Sequence, residues 1–229
     1  MISRWLISFS LVLQAYAGTV SGAISLADSK SKDFSGVVVW LDPVAGPPAL
    51  PRPAEHAQIL QKNKKFSPHI LAVTTGTIVD FPNNDPIFHN AFSNFEGKVF
   101  DIGLYPPGTS KSVRLDRPGV VRVFCNIHPT MSAVIAVLST PYFAVSRRDG
   151  RFHIADVPPG DYTLHVMHER ATPATLDALT RRVTVHEPAV NLPLLSISES
   201  GYLPMLHKNK YGKDYPPVTE DSFYPGAKK

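Results

Sequence analysis

The side chains best suited to chemistry stand in one short run, Cys125-Asn-Ile-His128-Pro-Thr-Met131, with His89 earlier in the chain. Imidazole and thiolate bind transition metals strongly. Trigonal copper sites combine two imidazoles and one thiolate with a weak axial thioether. His89, Cys125, His128 and Met131 supply that donor set. Zinc also accepts the thiolate and imidazoles, but a thioether suits copper better. A Cys–His pair can act as a nucleophile, yet that needs an oxyanion hole and a substrate cleft that nothing in the sequence announces. Singly, Cys125 reads as a core thiol, Met131 as a core filler and the histidines as surface residues. The joint spacing speaks for a metal.

The elements that must position these donors are strands. Val121, Val123 and Cys125 share one face by the period of two, which aims the thiol inward at a strand's end. Pro129 helps break that strand into a tight loop, which turns His128 back towards the thiol and starts the next strand at Met131. His89 follows the turn cluster Pro82-Asn-Asn-Asp-Pro86. From Phe66 to Leu138, short apolar runs alternate with Gly, Pro and Asn turns, the pattern of an antiparallel Greek-key sandwich. A second set of strands lies over Tyr142–Ser146, Arg151–Ile154, Tyr162–Met167, Arg182–His186 and Val190–Leu195. Its tight turns fall at Asp149-Gly150 and Pro158-Pro159-Gly160. Residues 172–180 read as a loop or a single helical turn. Residues 54–63 give a weak helical reading. Both faces of Met131–Leu138 are apolar, which suggests that something covers the side turned away from the sandwich core.

The remaining histidines are weaker metal candidates. His69 reads as structural. His165 and His168 are an odd number of residues apart in one strand, so they point to opposite faces. Met205 and His207 fall in a tail that reads as solvated. Trp40 sits in an apolar run and reads as core.

Composition agrees with a folded all-β chain. Of the 229 residues, 43% are hydrophobic and 18% charged, enough for a packed core. The 22 prolines argue against a helical bundle. A net charge of +4, spread along the chain, gives no nucleic-acid footprint. Nucleotide-binding glycine motifs and the H-E-x-x-H helix are absent. The basic start Met1–Arg4, the apolar run Trp5–Tyr16 and Ala15-Tyr16-Ala17 read as a cleaved export signal over residues 1–17. No later run is long enough to span a bilayer. Exported proteins usually pair their cysteines, so the lone Cys125 is free, reactive or holding a metal.

The region Phe66–Leu138 resembles a cupredoxin, the blue copper fold, and its C-x-x-H-P-x-M loop is similar to that of amicyanin. Phe66-x-Pro68, Gly76-Thr-x-Val79-x-Phe81-x-Asn83, His89-Asn90 and Pro118-Gly119 before Cys125 match as well. The resemblance implies one type 1 copper, cycling between Cu(I) and Cu(II), with His89, Cys125, His128 and Met131 as ligands. It implies that Asn90 ties the two ligand segments together, with Asn126 a further candidate beside the thiolate. The exposed edge of His128 would be the electron port, and Ile127 and Pro129 part of a docking patch.

Gly18-Thr-Val-Ser-Gly-Ala-Ile24, Val37–Leu41, Asp149-Gly-Arg-Phe152 and Pro159-Gly160-Asp-Tyr162-Thr-Leu164 resemble a carboxypeptidase regulatory-like, transthyretin-like sandwich. The expected fold is therefore a Greek-key cupredoxin sandwich, residues 56–140, inserted into a second small β-sandwich made of residues 18–55 and 141–198. Residues 199–229 are expected to form a loosely ordered tail. The expected function is a non-enzymatic one-electron carrier in the periplasm of a Gram-negative bacterium. Its partners would be redox proteins such as a c-type cytochrome or a periplasmic dehydrogenase. The alternative is a copper-binding, delivery or docking protein whose copper is cargo or structural. Methylamine-utilization proteins include small exported copper proteins of this kind.

Overall fold

The computed structural model describes residues 17–27, 31–45, 56–94, 97–186, 188–202 and 207–215. The expected export signal, apart from Ala17, lies outside the described residues, as does Met205. The described chain is nearly all β. Its one helix, Pro173–Asp177, is capped by the Thr172 side chain, which accepts from the Thr175 amide.

Two sheets frame the expected metal end. One runs in the order Ile70–Thr74, Ser132–Leu138, Gly119–Phe124, Phe92–Ser93, Phe100–Asp101. The other runs Ser110–Arg114, Ile78–Pro82, His56–Gln58. Alternation builds the core between them. Val121, Val123, Ala133, Ile135 and Val137 point inward and join Val79, Phe81 and Leu115, while Arg122 between the two valines stays exposed. The pairing is mixed rather than wholly antiparallel. Ser132–Leu138 runs parallel to Ile70–Thr74, and His56–Gln58 parallel to Ile78–Pro82. The chain switches sheets between strands, so only some neighbours, such as Gly119–Phe124 and Ser132–Leu138, are consecutive in sequence.

The weak helical reading of residues 54–63 is corrected. His56–Gln58 and Leu60–Lys62 are strands. Ile59 and Gln61 are buried while Gln58 and Lys62 are exposed, a period of two that pairing with Ile78–Pro82 enforces.

A second pair of sheets flanks this sandwich and draws on both ends of the chain. Gly18–Ala27 pairs antiparallel with Arg151–Val157 and parallel with Ala189–Asn191 and Leu195–Ser198. Val38–Pro43 lies between Phe143–Val145 and Gly160–Met167, which also pairs with Arg181–Val185. The expected run Val190–Leu195 is thus two short strands. Between the sheets sits a hydrophobic core of Val20, Ile24, Leu41, Phe152, Leu164 and their neighbours. The expected Asp149-Gly150 turn needs its glycine: φ is +79°, and a Cβ there would collide with the Ile24 carbonyl.

The two sandwiches share an apolar seam. Val134, Ala136 and Leu138, on the outer face of their strand, pack against Val38 and Met167, with Trp40 and Ile70 at the margin. This cover explains why both faces of that strand are apolar. Trp40 is half-buried there, stacked on His165 at 5.1 Å, rather than deep in a core. The strand Val38–Pro43 meets the stretch that precedes Phe143–Val145. Thr140 Oγ1 donates to the Leu41 carbonyl at 2.9 Å, and the Leu41 amide donates to the Tyr142 carbonyl at 2.9 Å.

Candidate metal centre

The strand Gly119–Phe124 ends as expected, one residue before Cys125, whose side chain is fully buried in the core. The loop then closes on itself. The Met131 amide donates to the His128 carbonyl at 3.1 Å, and the Cys125 amide donates to the Met131 carbonyl at 3.2 Å. This turn brings His128 Nδ1 to 3.6 Å from Cys125 Sγ. His89 arrives from a different segment. It pairs through its backbone with Tyr105, and its Nδ1 stands 3.9 Å from the same sulfur. Donor atoms of His89, Cys125 and His128 all lie within 4.8 Å of one another. Met131 is fully buried in the same cluster as Cys125.

These separations suit a shared ion. With metal–nitrogen and metal–sulfur bonds of about 2.0 and 2.3 Å, trigonal ligation sets nitrogen and sulfur roughly 3.7 Å apart. The observed 3.6 and 3.9 Å bracket that value.

Electrostatics set the donors up for binding. Burial, with His89 and Lys64 adding to it, pushes His128 down to about 4, so its ring is neutral at pH 7 and able to ligate. His89 Nε2 lies 2.7 Å from Asp85 Oδ2, both side chains buried. Burial pushes the Asp85 carboxyl up, but the Lys64 amide, His89 and the Asn63 amide outweigh it and hold it below the usual carboxylate range. An ionised Asp85 accepts the Nε2 proton, which leaves the Nδ1 lone pair facing the sulfur. Burial pushes the Cys125 thiol up, against the backbone amides of Ile127, Asn90 and His128, which favour the thiolate. A cation at this point adds the missing stabilisation, so metal binding and thiol deprotonation are coupled.

Asp85 was not among the expected site residues. Its signal was present: a carboxylate four residues before His89, inside the turn that delivers it. Asn83 shapes that turn, its side chain accepting from the Asp85 amide at 3.1 Å and donating to the Ile87 carbonyl at 2.8 Å.

The other expected polar residues fall around the candidate donors. Asn90 Oδ1 accepts from the Asn126 amide at 3.2 Å, joining the two ligand-bearing segments, and Asn90 Nδ2 donates to Asp101 at 2.7 Å. Asn126 takes part through its backbone. Its side chain turns the other way and accepts from the Lys210 amide at 3.0 Å.

That contact comes from residues 207–215, part of the stretch 199–229 expected as a loosely ordered tail. Residues 207–215 lie on the ligand loop. His207 stacks on Phe124 with centroids 4.1 Å apart and donates from Nε2 to the Pro129 carbonyl at 2.7 Å, and Tyr215 donates to the Cys125 carbonyl at 2.7 Å. The remaining histidines are elsewhere: His69 bonds Glu169, His165 stacks on Trp40 and His168 bonds Glu199.

A thiol, two imidazoles and a buried thioether at one end of a Greek-key sandwich define a cupredoxin-like protein with a candidate metal site. No family model matches the chain. The chain is 33% identical over 82 residues to methylamine utilization protein MauL of Methylorubrum extorquens, covering 35% of this chain and 72% of that protein. It belongs to the MauL family. Among solved structures, a purple cupredoxin from Nitrosopumilus maritimus is 26% identical, over 36% of this chain and 99% of that one, at TM-score 0.33. Amicyanin from Paracoccus versutus is 16% identical, over 43% and 97%, at TM-score 0.35. Likenesses at such scores add no weight to the family match.

Proposed function

We propose that this chain is an exported single-copper protein that carries one electron at a time between periplasmic redox partners, such as a c-type cytochrome or a dehydrogenase. The observation that carries this reading is the convergence of His89 and His128 Nδ1 on Cys125 Sγ at 3.9 and 3.6 Å, at a fully buried thiol. His89, Cys125 and His128 would be the strong ligands and Met131 the weak one. Bound copper would supply a one-electron couple in which no atom is transferred. The protein's part is to hold its donors still. Asp85 fixes the orientation of His89, Asn90 ties the ligand loop to the His89 segment, and the sandwich core excludes water from the thiol. His128, half-buried at the surface, is the path for the electron, with Ile127 and Pro129 beside it.

We infer further that residues 18–55 and 141–198 form one regulatory-like unit into which residues 56–140 are inserted, and that residues 1–17 direct export. Among the described residues no helix is long and apolar enough to cross a membrane.

The test is the visible spectrum and metal content of copper-loaded wild type beside Cys125→Ser. An intense band that bleaches and returns over reversible one-electron cycles is expected, and its loss in Cys125→Ser with the far-UV circular dichroism unchanged. A colourless wild type that hands Cu(I) to an acceptor would overturn the carrier in favour of delivery.

A further inference from the structure

The segment 207–215 lies far in sequence from every ligand and outside the stretch that resembles a cupredoxin, yet it closes a ring of hydrogen bonds around the ligand loop. The Lys210 amide donates to Asn126 Oδ1, and the Asn126 amide donates to Asn90 Oδ1. Asn90 Nδ2 donates to Asp101 Oδ1, and Lys210 Nζ donates to Asp101 Oδ2 at 2.7 Å, back to the starting residue. The ring thus links the tail, the ligand loop and the segment carrying His89. A second anchor sits at the thiol itself. Burial pushes the Tyr215 phenol up, keeping it a donor, and its hydroxyl bonds the Cys125 carbonyl at 2.7 Å. The His207 ring lies against Phe124 and Tyr215, and its Nε2 donates to Pro129, so the same nine residues grip the loop at both ends.

We propose that residues 207–215 are an integral part of the metal site, with Tyr215 and Lys210 as positioning residues that fix the Cys125–Met131 loop whether or not a metal is bound. The inference rests on the copper reading for its redox consequences but not for its structural ones. Free of the segment, the loop would be held by the Asn90 bond and its own turn, and the Cys125 and Pro129 carbonyls would lose their donors. The Tyr215 hydroxyl also withdraws electron density from the Cys125 carbonyl, which favours the more electron-rich, reduced state of a metal–thiolate pair.

The test uses the full chain with Tyr215→Phe, which keeps the ring and removes the donor, and Lys210→Met, which keeps the stem and removes the Asp101 contact. In metal-free protein, Cys125 should react with a disulfide reagent roughly tenfold faster in Tyr215→Phe than in wild type, the factor equivalent to one lost hydrogen bond. After copper loading, the same variant should show a lower midpoint potential and an altered thiolate-to-copper band, with the thermal transition nearly unmoved. Lys210→Met should move the same readouts less. Unchanged thiol reactivity, potential and band in a folded Tyr215→Phe would overturn the proposal. Should either variant fail to fold, amide exchange in the wild type decides: a Lys210 amide exchanging as fast as in a free peptide refutes it, and a slowed one supports it. If wild type binds no copper, the copper reading fails while the thiol assay still judges the tail.

Discussion

The two sandwiches follow the same rules of alternation and turn chemistry, yet they spend their interiors differently. The flanking sandwich buries a hydrophobic core, and its buried polar residues, Thr140, Ser146 and His168, serve as joints. Ser146, for example, donates to the Phe34 carbonyl at 2.7 Å and accepts from the Val37 amide at 2.9 Å. The metal-end sandwich buries Gln61, Asn83, Asp85, His89, Asn90 and Ser93. Burying polar groups lowers stability unless each finds a partner. Asp85, His89 and Asn90 do find partners, and those partners fix the orientation of donor atoms. The difference teaches that one body uses its buried polar groups to join segments and the other uses them to orient side chains.

The largest expected effect tests the packing side. Leu164→Ala in the flanking core should lower stability by about 2–5 kcal/mol in denaturant melts. Copper stoichiometry of the folded protein should stay unchanged; a loss of copper binding in the fold that remains would break the separation of roles. Asp85→Asn probes the other side. It keeps the shape but no longer dictates which nitrogen of His89 carries the proton, so copper affinity should fall roughly 10- to 100-fold in competition titrations. An unchanged affinity would mean that backbone placement alone orients His89.

Ser146→Ala should cost about 1–2 kcal/mol, because it strands the Val37 amide. It should leave the copper band untouched. The smallest effect belongs to the seam. His69 Nε2 meets Glu169 Oε2 at 2.8 Å, with His69 nearly half-exposed. The Glu169 hydrogen bond raises His69 above its ordinary 6.5. Burial pushes Glu169 up, but His69 outweighs it and holds it below its ordinary 4.5. The raised histidine stabilises the fold below pH 6.5 and loses that contribution as pH rises through its folded value. The lowered carboxylate contributes above pH 4.5 and loses it on acidification. His69→Gln should therefore destabilise most between pH 5 and 6, by less than about 1 kcal/mol given the exposure, and hardly at all at pH 9. An equal loss at both pH values would show that the pair acts through packing.

How much of this was legible beforehand depends on the range of the interactions. Cys125, His128 and Met131 could be read as candidate donors because their spacing is local: a strand's period aims Cys125, and a proline-bearing loop returns His128, whereas His89 comes from 36 residues away. The apolar outer face of Met131–Leu138 announced a cover because a sheet face has only one use for Val134, Ala136 and Leu138. The strands over 56–62 were missed because pairing decides them and local propensity does not: His56–Gln58 pairs with Ile78–Pro82 and Leu60–Lys62 with Lys65–Ser67. Residues 207–215 were missed for the same reason. Lysine-rich composition looks solvated until Phe124 and the Cys125 carbonyl are known to lie beneath.

The paired bonds between Leu41, Thr140 and Tyr142 have a genetic consequence. Where a polypeptide departs and comes home through a single doorway, the stretch beyond it can be gained, lost or exchanged while the host's own strands keep their neighbours. Two sandwiches joined in this way can thus have separate histories and still be translated as one message.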